Sequence, residues 1–256
     1  MLNEDVIPDD FYNIEQSDIL YIINKFNLTL YLWNVGKLYP KSNIFPINKK
    51  RELTKEYENI SKSIIKYKNP FTFYIINNFF SEDKNEFLLQ WLKKDISWKY
   101  HRESFFEQFE RHLNYTTKVS SCPWLVSSEY HNELLNMMES LFNIEFSDRV
   151  EIVAHKLIAG QGIGIHTDEP HEGTESHRVV VQLNSHFIDT YGGHLIFFRN
   201  QNPDSIHTII RPINNTAIAF ELSSLSYHAV NNVTDGERYT LVFSFWRKDS
   251  LNMVER

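Results

Sequence analysis

The chain has a single cysteine, Cys122, in 256 residues, so no intrachain disulfide can form. A reduced, cytoplasmic protein is therefore expected. Positive charge is also short: 26 Lys and Arg against 33 Asp and Glu leave a net charge of −7. That balance argues against a nucleic-acid-binding surface, which carries a clustered basic excess. No apolar run approaches the roughly 18 residues of a membrane span. The start, Met1-Leu2-Asn3-Glu4-Asp5, lacks a basic segment followed by an apolar one, so no secretion is expected. Aromatic residues, in contrast, reach 14%. Phe, Tyr and Trp bury large areas, and the chain is long enough for one full-sized domain with an appendage.

Two helices separated by a loop are predicted over residues 1–68. Asp18 to Leu32 carries Ile19, Ile22, Ile23, Phe26 and Leu30 at helical spacing, and Glu52 to Tyr67 carries Tyr57, Ile60, Ile64 and Tyr67. Gly36, Pro40 and Pro46 interrupt them. This extension either stabilises the core or serves in substrate capping or dimerisation. From residue 69 onward, Phe71 to Phe80 reads as extended. Ser81 then caps a helix with Phe87, Leu88, Trp91 and Leu92 on one face. Residues 99–125 show no clear period. Ser127 or Ser128 caps a further helix whose stripe of Leu134, Met137, Met138, Leu141 and Phe142 reads as core.

After Asp148 the period changes from 3.6 to 2. Val150–Ile158, Arg178–Leu183, His194–Phe198, Thr216–Glu221 and Tyr239–Trp246 are short β-branched or aromatic runs between Gly, Pro, Asn and Asp. The fold class is α+β, an antiparallel double sheet backed by helices. Periodicity alone does not separate a sandwich from a barrel.

Among eleven histidines, His166 stands out because Asp168 follows it at the spacing that puts two side chains on one face of a strand. With His228 from another strand they make a two-His-one-carboxylate set. That set suits non-haem Fe(II) and leaves coordination positions open. His171 and His177 lie near Asp168 in a stretch that Pro170, Gly173, Glu172 and Glu175 mark as a loop, and His186 and His207 have no partner pattern. His194 reads either as a substrate or cofactor contact or as a rim residue.

The surrounding motifs carry a resemblance. Tyr191-Gly192-Gly193-His194-Leu195-Ile196-Phe197 lies between the candidate ligands, and Arg238 follows His228 by ten residues. This order, H-x-D, a G-G-x-L-x-F strand, a distal His and then a basic residue, resembles the catalytic core of the Fe(II)/2-oxoglutarate oxygenases, in the branch similar to prolyl 4-hydroxylases. The stretch from Asn69 to Trp98 also resembles that branch. The resemblance implies an oxygenase domain over 69–256 with a double-stranded β-helix (jelly-roll, cupin-like) core at about 150–246. It implies Fe(II), 2-oxoglutarate and O2 as cofactors, with His166, Asp168 and His228 as the metal-binding catalytic centre. Arg238 would grip the distal carboxylate of 2-oxoglutarate, since a guanidinium fork binds a carboxylate bidentately, and Thr240 would add a hydroxyl. The competing reading places Arg238 at a surface turn, paired with Asp235 or Glu237.

Two departures from the family are plain. His155-Lys156-Leu157 stands where members carry a tyrosine against 2-oxoglutarate, and Gln182-Leu183-Asn184 replaces Tyr-Leu-Asn. Gln182 is the candidate substitute on the C1 side. Arg178 pairs either with substrate or with an acidic run, Glu169, Glu172 and Glu175, with Asp189 beyond. That run either attracts a cationic substrate or forms a solvated lid. The implied activity is hydroxylation of an unactivated C–H of a small molecule, amino acid or peptide, with release of succinate and CO2. Asp168 disfavours halogenation, because halogenases free that coordination position for chloride. Desaturation or oxidative cyclisation on the same site, and a non-catalytic metal-binding module, are the alternatives.

Overall fold

A computed structural model describes residues 63–94, 97–113, 122–168 and 175–248. Most of the expected N-terminal extension lies outside them. Its last part is corrected. Ser63–Tyr67 forms a strand, β1, rather than the end of a helix, and pairs antiparallel with β2 (Phe73–Asn77). Ile64 and Ile65 are β-branched, and pairing along β2 outweighs the helical spacing of Ile60, Ile64 and Tyr67.

Helix α1 (Glu82–Lys94) carries Glu82 and Asp83 in its first turn and Lys93 and Lys94 in its last, complementing the helix dipole. It buries Asn85, Leu88, Trp91 and Leu92. Phe87, expected on that face, is 41% exposed. Residues 99–113, where no period was legible, form a hairpin of β3 (Lys99–Arg102) and β4 (Glu107–Leu113). Helix α2 (Ser128–Phe142) is capped by Ser127, whose hydroxyl accepts from the Tyr130 amide, and ends on Asn143 in the left-handed conformation. Leu134 and Met138 are buried there, with Met137, Leu141 and Phe142 packed against them.

The remaining strands are β5 (Phe146–Ile158), β6 (Ile163–His166), β7 (His177–Gln182), β8 (Leu195–Phe198), β9 (Ile206–Ile210), β10 (Thr216–Glu221), β11 (His228–Val230) and β12 (Glu237–Arg247). They complete two antiparallel sheets, ordered β1-β2-β10-β7-β12-β5-β4-β3 and β6-β11-β8-β9. This is the jelly-roll arrangement expected.

Strand alternation divides the large sheet. Tyr74, Ile76, Ala154, Val179, Val181, Ala217, Leu241 and Phe243 join the helices in one core cluster. Their alternates turn to the opposite face, toward the small sheet. There Phe73 of β2 and Phe220 of β10 meet Phe197 of β8, with ring centroids 4.9 and 5.6 Å apart. Each such fully buried aromatic side chain contributes roughly 1.5–3 kcal/mol. The same inner face carries His155, Leu157, Arg178, Gln182, Arg238 and Thr240, on strands held rigid by two neighbours each.

Candidate active site

His166 closes β6 and His228 opens β11, and the two are register partners in the antiparallel pair. Their rings lie 4.1 Å apart between centroids. Asp168 reaches them differently from the sequence expectation. The strand stops at His166, and Asp168 takes a left-handed backbone, φ 51°. Asp tolerates that region better than most residues. A turn, not strand alternation, thus carries its carboxylate to the imidazoles.

The tautomers are fixed by the backbone. His166 Nδ1 lies 2.8 Å from the Gly164 carbonyl and His228 Nδ1 lies 2.7 Å from the Ser226 carbonyl. A carbonyl only accepts, so each Nδ1 carries the hydrogen and each Nε2 keeps a lone pair. Both Nε2 atoms approach Asp168 Oδ2, at 3.4 and 3.2 Å. The three ligand atoms lie within 4.8 Å of one another and can hold a metal ion. Ser226 Oγ donates to the Thr167 carbonyl at 2.8 Å, tying the turn before His228 to the His166–Asp168 segment.

Burial alone would push the Asp168 carboxyl up, but the Arg178 guanidinium and the two imidazoles hold it well below the usual carboxylate range. Burial, and next His166, push the His228 imidazole down, favouring the neutral form that ligates metal. Arg178 hydrogen-bonds both Asp168 and Glu175. Of the two readings of Arg178, the acidic partner is the one observed. Glu169 and Glu172 lie outside the described residues. Glu175 pairs with Arg178, and Asp189 with Arg211 and His194.

Arg238 is 6% exposed, which removes the surface-turn reading. Glu237 is taken by Lys156 and by the Tyr239 hydroxyl instead, and Asp235 accepts from the Gly236 amide. Among the described residues Arg238 Nε has no hydrogen-bond partner, and burial pushes the guanidinium down to about 9. Gly193 makes room for this side chain. With φ 73°, a Cβ there would sit 2.7 Å from Arg238 Cδ. Thr240 follows on the same face and is 1% exposed. Gln182, its register partner on β7, is fully buried, and neither of its amide atoms has a partner among the described residues. An unpartnered buried polar atom costs roughly 1–3 kcal/mol. Arg238 and Gln182 therefore form a buried polar face suited to a polar, anionic molecule.

His194 is not a rim residue. It is wholly buried, its Nε2 3.3 Å from Asp189 Oδ1 and its Nδ1 3.4 Å from Asn231 Nδ2. The network anchors the turn that presents Gly193. Sequence reasoning missed Phe105, at the tip of the β3–β4 hairpin. Its ring lies 5.0 Å from that of His166 and is 42% exposed, and its carbonyl accepts from the Gly164 amide. Only the aromatic pair Phe105-Phe106 in an otherwise charged stretch marked it.

The jelly roll thus carries an imidazole–imidazole–carboxylate cluster that could hold a metal ion, and a buried guanidinium without a carboxylate partner among the described residues. Residues 152–246 match the family model of the 2OG-Fe(II) oxygenase superfamily. Its members use Fe(II), 2-oxoglutarate and O2. No protein of curated function matches the chain. In structure it is similar to a prolyl-4-hydroxylase of Pseudomonas putida, at 16% identity and TM-score 0.58, covering 69% of this chain and 92% of that one. It is also similar to a prolyl hydroxylase of Trichoplax adhaerens, solved with a hypoxia inducible factor oxygen degradation domain peptide fragment. That match has 17% identity and TM-score 0.58, over 72% and 87% of the two chains. A 2OG-Fe(II) oxygenase family oxidoreductase of Burkholderia pseudomallei aligns at 16% identity and TM-score 0.52, over 68% and 85%. At these identities the likeness is one of fold. Among the described residues, no helix is long and apolar enough to cross a membrane.

Proposed function

We propose that this chain is a dioxygenase that hydroxylates an unactivated C–H bond, with a peptide, amino acid or small molecule as substrate. His166, Asp168 and His228 would ligate Fe(II) through Nε2, a carboxylate oxygen and Nε2. Arg238 would pair the distal carboxylate of 2-oxoglutarate, with Thr240 and Gln182 beside it. The observation that carries this reading is the buried Arg238, which has no acidic partner among the described residues and lies on the face shared with Gln182 and Thr240. A dicarboxylate would satisfy it.

When bound, iron and 2-oxoglutarate supply the oxidising chemistry: one atom of O2 enters succinate, CO2 leaves, and the other atom enters the substrate as hydroxyl. The chain's own residues orient and shelter that chemistry. The Gly164 and Ser226 carbonyls hold both imidazoles in the ligating tautomer, and Arg178 keeps Asp168 ionised. The wall of Phe73, Phe197 and Phe220 keeps water from the buried side of the site.

The exposed Phe105 beside His166 lies where a substrate would approach. A peptide suits this open, hairpin-edged mouth, and the Trichoplax adhaerens neighbour was solved with a peptide. A reducing compartment such as the cytoplasm suits a chain whose one described cysteine is free and buried.

The test is incubation of the Fe(II)-loaded protein with 2-oxoglutarate, O2 and panels of peptides and amino acids. Succinate should rise together with a product heavier by one oxygen atom. If 2-oxoglutarate neither binds nor turns over with any panel member, the reading fails.

A further inference from the structure

The inner face of the large sheet carries one more group that the proposed ligand set does not use. His155 of β5 stands opposite Thr240 of β12, and Gln182 of β7 stands opposite Thr240 from the other side. Register partners point to the same face, so His155, Thr240 and Gln182 form one cross-strand row. The row has a direction. Arg238 lies two residues before Thr240 on the same face, and Ser244, opposite Arg178, lies four residues beyond it. Arg178 in turn bonds Asp168. The row therefore follows Arg238 on the way toward the metal cluster. Two strand residues span roughly 6–7 Å, about the reach of a five-carbon diacid.

His155 makes no hydrogen bond through its ring among the described residues. Burial, and next the charges of Arg178 and Arg238, push its imidazole down to about 3, with His112 adding to this and Asp168 opposing it. The ring is thus neutral at physiological pH and within electrostatic reach of both the guanidinium and the metal carboxylate. A neutral imidazole has one N–H to donate. Nothing nearby on the strand offers a phenol, since Lys156 turns to the other face against Trp98 and Phe109, and Leu157 is apolar.

Resting on the reading of this site as a 2-oxoglutarate site, we infer that His155 donates a hydrogen bond to the keto-acid end of 2-oxoglutarate, the end turned to the metal, opposite Gln182 across Thr240. Arg238 sets where the distal carboxylate lies, and His155 sets the orientation of the end that meets the metal.

Calorimetric titration of the Mn(II)-loaded full chain with 2-oxoglutarate tests this, using His155→Phe, which keeps a ring without the donor, and His155→Gln, which restores one. His155→Phe should bind 2-oxoglutarate about tenfold to a hundredfold more weakly, the range of one hydrogen bond to a charged group. Its Mn(II) affinity should stay at the wild-type value, and His155→Gln should recover part of the loss. Under anaerobic conditions with Fe(II), the visible band of the 2-oxoglutarate complex should also shift in His155→Phe, because the hydrogen bond falls on the chelating end.

Binding by His155→Phe within twofold of wild type overturns the inference, as does an equal loss of Mn(II) affinity or an unmoved band. If His155→Phe does not fold, His155→Gln against His155→Leu reads the same contrast. A wild-type protein that binds Mn(II) but not 2-oxoglutarate overturns the proposed function itself. Normal binding by both wild type and His155→Phe removes only the role of His155.

Discussion

Replacing Arg238 by Met should move stability and ligand binding in opposite directions. The guanidinium is 6% exposed, its Nε has no partner among the described residues, and burial has pushed it down to about 9. Without a ligand, the folded chain thus carries a desolvated charge with no described carboxylate to compensate it. Exchanging a poorly compensated buried charge for an apolar side chain of similar size is neutral or stabilising, by up to about 4 kcal/mol. At about 2–4 °C per kcal/mol for a domain of this size, the ligand-free variant should melt at the wild-type temperature or several degrees above it. Binding should fall sharply, because removing one partner of a buried charge pair costs about 2–5 kcal/mol, or roughly thirtyfold to several-thousandfold in Kd. Differential scanning fluorimetry of the ligand-free proteins reads the first quantity, and calorimetry with Mn(II) and 2-oxoglutarate reads the second. A ligand-free variant that melts several degrees below wild type would show that the guanidinium is already satisfied by the protein. Unchanged 2-oxoglutarate affinity would show that it does not meet the co-substrate. Either result refutes the reasoning.

Three further outcomes follow from the geometry. Gly193→Ala forces a Cβ to 2.7 Å from Arg238 Cδ at a φ of 73°; it should lower stability by about 1–3 kcal/mol and weaken 2-oxoglutarate binding, both readable by thermal melts with and without the ligand. His228→Ala removes one of three ligand atoms, so the rise in melting temperature that Mn(II) or Fe(II) gives the wild type should vanish; a full metal-induced rise would place the metal elsewhere. His177, 1% exposed and edge-on to Phe142 and Phe146, is pushed down to about 3 by burial and next by Arg247. The unfolded chain takes up that proton near pH 6.5 and the folded chain does not, so its share of stability is present above pH 6.5 and is lost as pH falls toward about 3. His177→Phe should therefore flatten the melting temperature between pH 6.5 and 4; an unchanged slope would assign the acid sensitivity to other groups.

The legible parts of this chain were those where local chemistry and tertiary position agree. Thr216–Glu221 and the core of β12 read as strands because they are largely apolar runs buried on both faces, one toward the helices and the other toward the barrel interior. Ser127 announces α2 because a hydroxyl at that position satisfies an otherwise open amide. His166 and His228, read from the sequence as one candidate cluster, come together as register partners.

Misreadings came where partners distant in sequence decide. Ser63–Tyr67 has helical spacing on its left and a strand partner ten or so residues to its right, and the partner prevails. The β3–β4 hairpin hides because β4 is mostly polar, with Phe109 packed on Tyr100 across the hairpin as its one Phe, Tyr or Trp residue. Asp168 has the spacing of a strand residue but the backbone of a turn. The roles of His194 and Arg178 depend on Asp189, Asn231, Asp168 and Glu175, and no local pattern in the chain announces those pairings.

Anaerobic addition of 2-oxoglutarate to the Fe(II)-loaded protein probes the proposed iron centre most directly. A weak visible charge-transfer band should appear only when metal and 2-oxoglutarate are both present, and should be absent in His166→Ala and His228→Ala. A wild-type protein without that band, or variants that keep it, would contradict the assignment of His166, Asp168 and His228 as the iron site.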